Sequence, residues 1–161
     1  MTMTTDDNTI VVTFDEAKRW IERAIEDRGA GFVYPGFGNG GYYQHGKEFY
    51  VSRLGETEGR RFYADAKGAL GSKPAPGCIV GKIFHDNLPR AYEIVCNGEG
   101  RSIESLSEDL GENGIGFDAE TEMLLREVQG MQDAGQDWGT AYRIALGRVE
   151  ECYGHALAGA E

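Results

Sequence analysis

The sequence predicts an α+β domain with an N-terminal helix, a small antiparallel β-hairpin or sheet, short central helices and a C-terminal αα-hairpin. Three observations predict it. Apolar residues recur at three- and four-residue spacings near both ends of the chain. Between about residues 31 and 63 the texture changes to short aromatic, β-leaning runs separated by glycine. The 24 glycines in 161 residues, with no three-residue period, imply many short connections and exclude collagen.

Taken in order, residues 1–9 are polar and read as a flexible tail, and Ile10-Val11-Val12 as a short strand. Thr13-Phe14-Asp15-Glu16 is a capping box opening a helix to about Arg28, with the stripe Phe14, Ala17, Trp20/Ile21, Ala24 and Ile25. Gly29 stops it. Gly31 to Pro35 leans to β. Gly36 to Gly41 is a loop, Tyr42–Gln44 and Glu48–Leu54 form a hairpin about His45-Gly46-Lys47, and Arg61-Phe62-Tyr63 adds a third strand. Cys78 to Asp86 is a short buried helix carrying Ile79, Val80, Ile83 and Phe84. Pro89 to Cys96 is a second, ended by Asn97-Gly98, and Ser102 to Leu110 adds one or two helical turns. Gly111 to Gly116 reads as a loop. Asp118 caps a helix to about Asp133, Ala134-Gly135 ends it, and Asp137 caps a last helix from Trp138 to about Tyr153. So short a turn makes the last two helices an αα-hairpin. No linker or internal repeat divides residues 10–155, which read as one domain, and residues 156–161 read as a second flexible tail.

The formal net charge of −11 counts against nucleic acid as a partner. Residues 42–73 are nevertheless locally basic, holding six Lys and Arg against four acids. Cys78, Cys96 and Cys152 are odd in number and form no CxxC, which argues against a disulfide framework or a zinc site and for reduced thiols in the cytoplasm. With no apolar run of membrane-spanning length and no cationic leader, neither a membrane span nor a signal peptide is expected.

Gly36-x-Gly38-x-x-Gly41 matches the dinucleotide fingerprint in its letters, but it runs into Tyr42-Tyr43, which reads as strand. The fingerprint's chemistry needs a helix N-terminus there, so a flexible connection fits better. Cys78 and His85 stand about 10.5 Å apart along a helix at about 1.5 Å per residue, too far for a nucleophile–base pair or a shared metal. No catalytic or metal constellation and no cofactor motif emerges, and the reading leans away from an enzyme. The candidate surface is the aromatic and locally basic segment, the alternative being that its alternate aromatics fill the core under a small sheet. Tyr34, Phe37, Tyr42, Tyr43, Tyr50, Arg53, Arg60, Arg61 and Tyr63 are the residue types that anchor a protein partner or stack on a base.

At Pro76-Gly77-Cys78-Ile79-Val80-Gly81, and at Gln129-x-x-Gln132-Asp133-x-Gly135-x-x-Trp138-Gly139-x-Ala141, the chain resembles a group of small uncharacterised proteins encoded by actinobacterial phages and actinobacterial genomes. Members begin with a helix like Asp15–Arg28 and an aromatic piece like Val33-Tyr34, and this chain departs from them by a longer Tyr/Gly hairpin between residues 36 and 73. The resemblance implies an intracellular phage or host accessory protein, in the host cytoplasm if phage-encoded, and carries over no activity and no catalytic residue. Read as residues, both motifs are structural. Trp138 plugs the core at the helical elbow, Gly139 leaves room there, and Gly81 admits a close helix.

The expectation is therefore a non-enzymatic interaction protein that binds and modulates a host protein. The alternative is a binder of a small nucleotide-like ligand through the Gly/Tyr-rich hairpin. A DNA-binding regulator through Cys78–Leu110 ranks last, because that segment carries six acids against three Lys and Arg. Self-association is left open.

Overall fold

The computed structural model describes residues 3–4, 9–34, 55–58, 77–98 and 101–159. Its elements are β1 (Met3–Thr4), β2 (Ile10–Val12), α1 (Phe14–Arg28), α2 (Ile79–Asn87), α3 (Pro89–Asn97), α4 (Ile103–Glu112), β3 (Ile115–Phe117), α5 (Ala119–Asp133) and α6 (Trp138–Gly159). Helices dominate, with a small sheet at one side. No described helix is long and apolar enough to cross a membrane.

The sheet departs from the expected antiparallel hairpin. Its strand order is β1-β2-β3, and β2 pairs parallel with β3 in the register Ile10↔Ile115, Val11↔Gly116, Val12↔Phe117. β1 pairs antiparallel with β2 and draws Met3 and Thr4, within the segment expected as a tail, into the sheet. The Gly111–Gly116 stretch, expected as a loop, instead completes α4, turns at Gly114 (φ +79°) and enters β3. Connectivity allows the parallel pairing. About a hundred residues, including α1 to α4, separate β2 from β3, which supplies the long crossover that a parallel pair needs and a tight hairpin does not. The expected strands at 42–44, 48–54 and 61–63 lie outside the described residues.

The helices begin where their caps dictate. The Thr13 hydroxyl accepts from the Glu16 N–H (3.3 Å), while the Thr13 N–H donates back to Glu16 Oε1 (3.4 Å), closing the capping box. Asp118 Oδ1 accepts from the Thr121 N–H at α5, and Asp137 Oδ1 from the Thr140 N–H at α6. The elbow between α5 and α6 is a Schellman turn. The Gln136 N–H donates to Met131 O and the Gly135 N–H to Gln132 O, with Gly135 at φ +97° where a Cβ would be strained. α6 runs on past Tyr153 to Gly159, about one and a half turns beyond the expected end.

Residues 31–34 of the Gly31–Pro35 piece expected to lean to β form no ladder, and neither does Ala30 before them. Their carbonyls serve α6: the Trp138 N–H donates to Phe32 O (2.9 Å) and the Gly139 N–H to Ala30 O (2.8 Å). α6 thus begins with its first N–H groups satisfied by a distant segment. The core gathers around α5, which packs against α1, α2, α4, α6 and β3. Fully buried Trp138, Phe84, Ile21, Ile79, Ile83, Ile103, Leu106, Leu110, Ile115 and Leu124 are its largest side chains, each stabilising by about 1.5–3 kcal/mol relative to exposure. The expected stripe of α1 divides: Ala17, Ile21 and Ala24 are buried, and Phe14, Trp20 and Ile25 lie half-buried against the core.

Two helical glycines give opposite expectations. A Cβ on Gly139 would stand 2.8 Å from Ala30 Cβ and 3.0 Å from Ala30 O, whereas one on Gly130 meets nothing within 4 Å. Gly139→Ala should destabilise by about 1–2 kcal/mol through overpacking, and Gly130→Ala should stabilise by up to about 1 kcal/mol through helix propensity. Urea denaturation of the two variants checks the pair of signs.

Candidate functional site

A helix leaves its first four N–H groups without intrahelical partners. The N-cap side chain usually serves N2 or N3. α2 and α4 follow that rule: Cys78 Sγ accepts from the Gly81 N–H (3.4 Å) and Ser102 Oγ from the Ser105 N–H (3.3 Å). The N1 amides of Ile79 and Ile103 are left inside the core, and both are taken by α5. Gln132 Oε1 accepts from the Ile79 N–H (2.7 Å), and Gln129 Oε1 accepts from the Ile103 N–H (2.8 Å). Gln132 Oε1 also accepts from Trp138 Nε1 (2.9 Å). Residues 129 and 132 are i, i+3 on one face, and both are buried. One helix face therefore holds the starts of α2, α4 and α6. A buried amide left unpaired costs about 1–3 kcal/mol, so losing both bonds to Gln132 would remove a large part of a typical domain's stability.

The same cluster gathers Arg28. Its Nη1 donates to Gly77 O (2.8 Å), and its guanidinium carbon lies 5.1 Å from the Trp138 ring centre and 5.2 Å from that of Phe32. Phe32 and Trp138 meet edge to face at 4.7 Å. Arg28 thus pins the residue before Cys78 to the elbow that Phe32 and Ala30 cap.

Asp133 completes the polar face. Its Oδ1 accepts from Gln132 Nε2 (3.1 Å), while its Oδ2 is shielded from solvent with no partner, as is Gln129 Nε2. Burial pushes the Asp133 carboxyl up to about 7, against the opposing effect of the Gln132 hydrogen bond. A second polar group lies toward α1: Lys82 bridges Asp27 (3.2 Å) and Asp86 (2.6 Å). Burial raises the Asp86 carboxyl, but its bonds to Lys82 and His85 outweigh that and hold it below the usual carboxylate range. His85 Nδ1 is 3.0 Å from Asp86 Oδ1, and its ring meets Tyr92 edge to face at 5.1 Å. Cys78, whose spacing from His85 already argues against a nucleophile–base pair, is fully buried and serves as an N-cap. Among the described residues, no group of three or more His, Cys, Asp or Glu is placed to hold a metal ion.

Of the ligand- or partner-binding residues proposed from sequence, Tyr34 is 4% exposed and belongs to the core. Phe37, Tyr42, Tyr43, Tyr50, Arg53, Arg60, Arg61 and Tyr63 lie outside the described residues, as does the Gly36–Gly41 loop. In the sequence, Gln129 and Gln132 stand out only as letters of an elbow motif. The signal for their role is position: they continue the buried stripe Thr121, Leu124, Leu125, Val128, where a polar side chain needs a partner. An open depression of about 630 Å³ also lies beside α3, bounded by Arg90, Glu93, Ile94, Asn97 and Asn113 among others. The chain matches no family model, no curated protein and no solved structure.

The Asp133 carboxyl sets a pH dependence. Its folded value, raised from 3.8 to about 7, means that the native state binds the proton more tightly than the unfolded chain. Stability from this group is full below about pH 4 and falls as pH rises toward 7. Solvent access to the side chain screens the effect to about 1–2 kcal/mol. Asp133→Asn should flatten the fall in this window, read by urea midpoints between pH 4 and 8.

Proposed function

We propose that the chain is a non-enzymatic accessory protein that binds and modulates a protein partner through the Tyr/Arg-rich stretch between Tyr34 and Gly77. The supporting observation is where that stretch is anchored. Tyr34 is buried at its start and follows Phe32, whose carbonyl caps α6; Gly77 at its end is held by Arg28, which lies on Phe32 and Trp138. Both ends meet one packed elbow, and loops that a scaffold holds at both ends are where binding segments are commonly found. Val33, beside the buried Tyr34, is a large apolar side chain left 50% exposed.

The composition supports a protein partner. The stretch carries aromatic and arginine residues, the types that anchor interfaces, on an otherwise acidic chain. If the chain is phage-encoded, as the motif resemblance suggests, the partner is a host protein and the setting is the host cytoplasm.

The test is affinity capture followed by calorimetry with the recovered protein. Replacing Arg60 and Arg61 by Ala together with Val33→Asp should weaken binding by about tenfold or more without moving the melting temperature. Unchanged binding would overturn the proposal. A small absorbing mass released from the pure protein in native mass spectrometry would instead favour a nucleotide-like ligand.

A further inference from the structure

Two buried polar atoms on α5 have no hydrogen-bond partner, Gln129 Nε2 and Asp133 Oδ2. One is a donor, and the other, a carboxyl oxygen, is an acceptor when the group is ionised. Their residues are i, i+4, with Cβ atoms roughly 6 Å apart on one helix face. Each partner atom of the same two side chains is engaged: Gln129 Oε1 accepts from the Ile103 N–H, and Asp133 Oδ1 accepts from Gln132 Nε2. Turning the bonded end of Gln129 away would leave the buried Ile103 N–H unpaired, and turning that of Asp133 away would break its bond from Gln132 Nε2. Orphan pairs of this kind, shielded from bulk solvent, are the setting in which proteins hold internal water.

We propose that a single internal water molecule sits between Gln129 Nε2 and Asp133 Oδ2, accepting from the amide and donating to the carboxylate. Its effect reaches beyond the two residues. The hydrogen bonds then run without a break from the α4 N-terminus at Ile103, through Gln129, the water, Asp133 and Gln132, to the α2 N-terminus at Ile79 and the indole of Trp138 at the start of α6. Three helix starts share one chain of bonds along α5, and bonds in such a chain strengthen one another. Water also suits either form of the carboxyl, since it donates to the ionised group and accepts from the protonated one.

A crystal structure of the full chain, at a resolution that shows ordered water, tests the proposal. The expected result is one density peak within about 2.6–3.2 Å of both Gln129 Nε2 and Asp133 Oδ2. A direct bond between these two atoms, a protein group seated between them, a peak reaching only one of them, or no peak would each overturn it.

Discussion

A helix can be buried at its N-terminus only if something other than water takes its first N–H groups. That constraint organises this molecule. α2 and α4 both start inside the core, and α6 starts at an elbow packed beneath Phe32 and Arg28. The partners come from far along the chain: Gln132 for Ile79, Gln129 for Ile103, and the carbonyls of Ala30 and Phe32 for Gly139 and Trp138. Apolar packing holds the helices together without direction. These bonds fix which helix start meets which turn of α5, because a shift of one residue would strand a buried amide.

The legible parts of the sequence are the local ones. Thr13 and Glu16 stand three apart, and so do Asp118 and Thr121 and Asp137 and Thr140; caps of that kind are read from spacing alone. The apolar stripes of α1 and α6 are equally local. What fails to show is non-local. Ile115-Gly116-Phe117 has no alternation of its own and becomes strand only because Ile10–Val12 lies beside it. Residues 31–34 have β-leaning composition, yet the carbonyls of Phe32 and of neighbouring Ala30 are taken by the start of α6 more than a hundred residues later. Tyr34, offered by the sequence as either a binding or a core aromatic, is buried, since an aromatic side chain fits a core and an interface alike.

The candidate site is legible only as a motif. Gln129, Gln132, Asp133, Trp138 and Gly139 read together as an elbow, and the structure gives each a separate role. Gln129 and Gln132 accept from buried amides, and Asp133 anchors Gln132. Trp138 plugs the core, and Gly139 leaves the gap that admits Ala30. The roles of the glutamines depend on helices 26 and 53 residues away, which no local pattern reveals. The motif is therefore architecture, and its Trp138 and Gly139 amides hold Phe32 and Ala30, just before the segment for which binding is proposed. Arg28 joins the end of that segment to the plug of the core, since it touches both Gly77 and Trp138.

Amide hydrogen exchange tests this reading of the fold most directly, because an N1 amide is ordinarily among the least protected in a helix. If α5 holds the buried helix starts, Ile79 and Ile103 exchange only through opening events near the global unfolding free energy. Replacing Gln132 by Met should then release Ile79 while leaving Ile103 protected relative to the new global stability. Fast exchange at Ile79 and Ile103 in the unaltered protein, or equal protection of Ile79 in the variant, would contradict it.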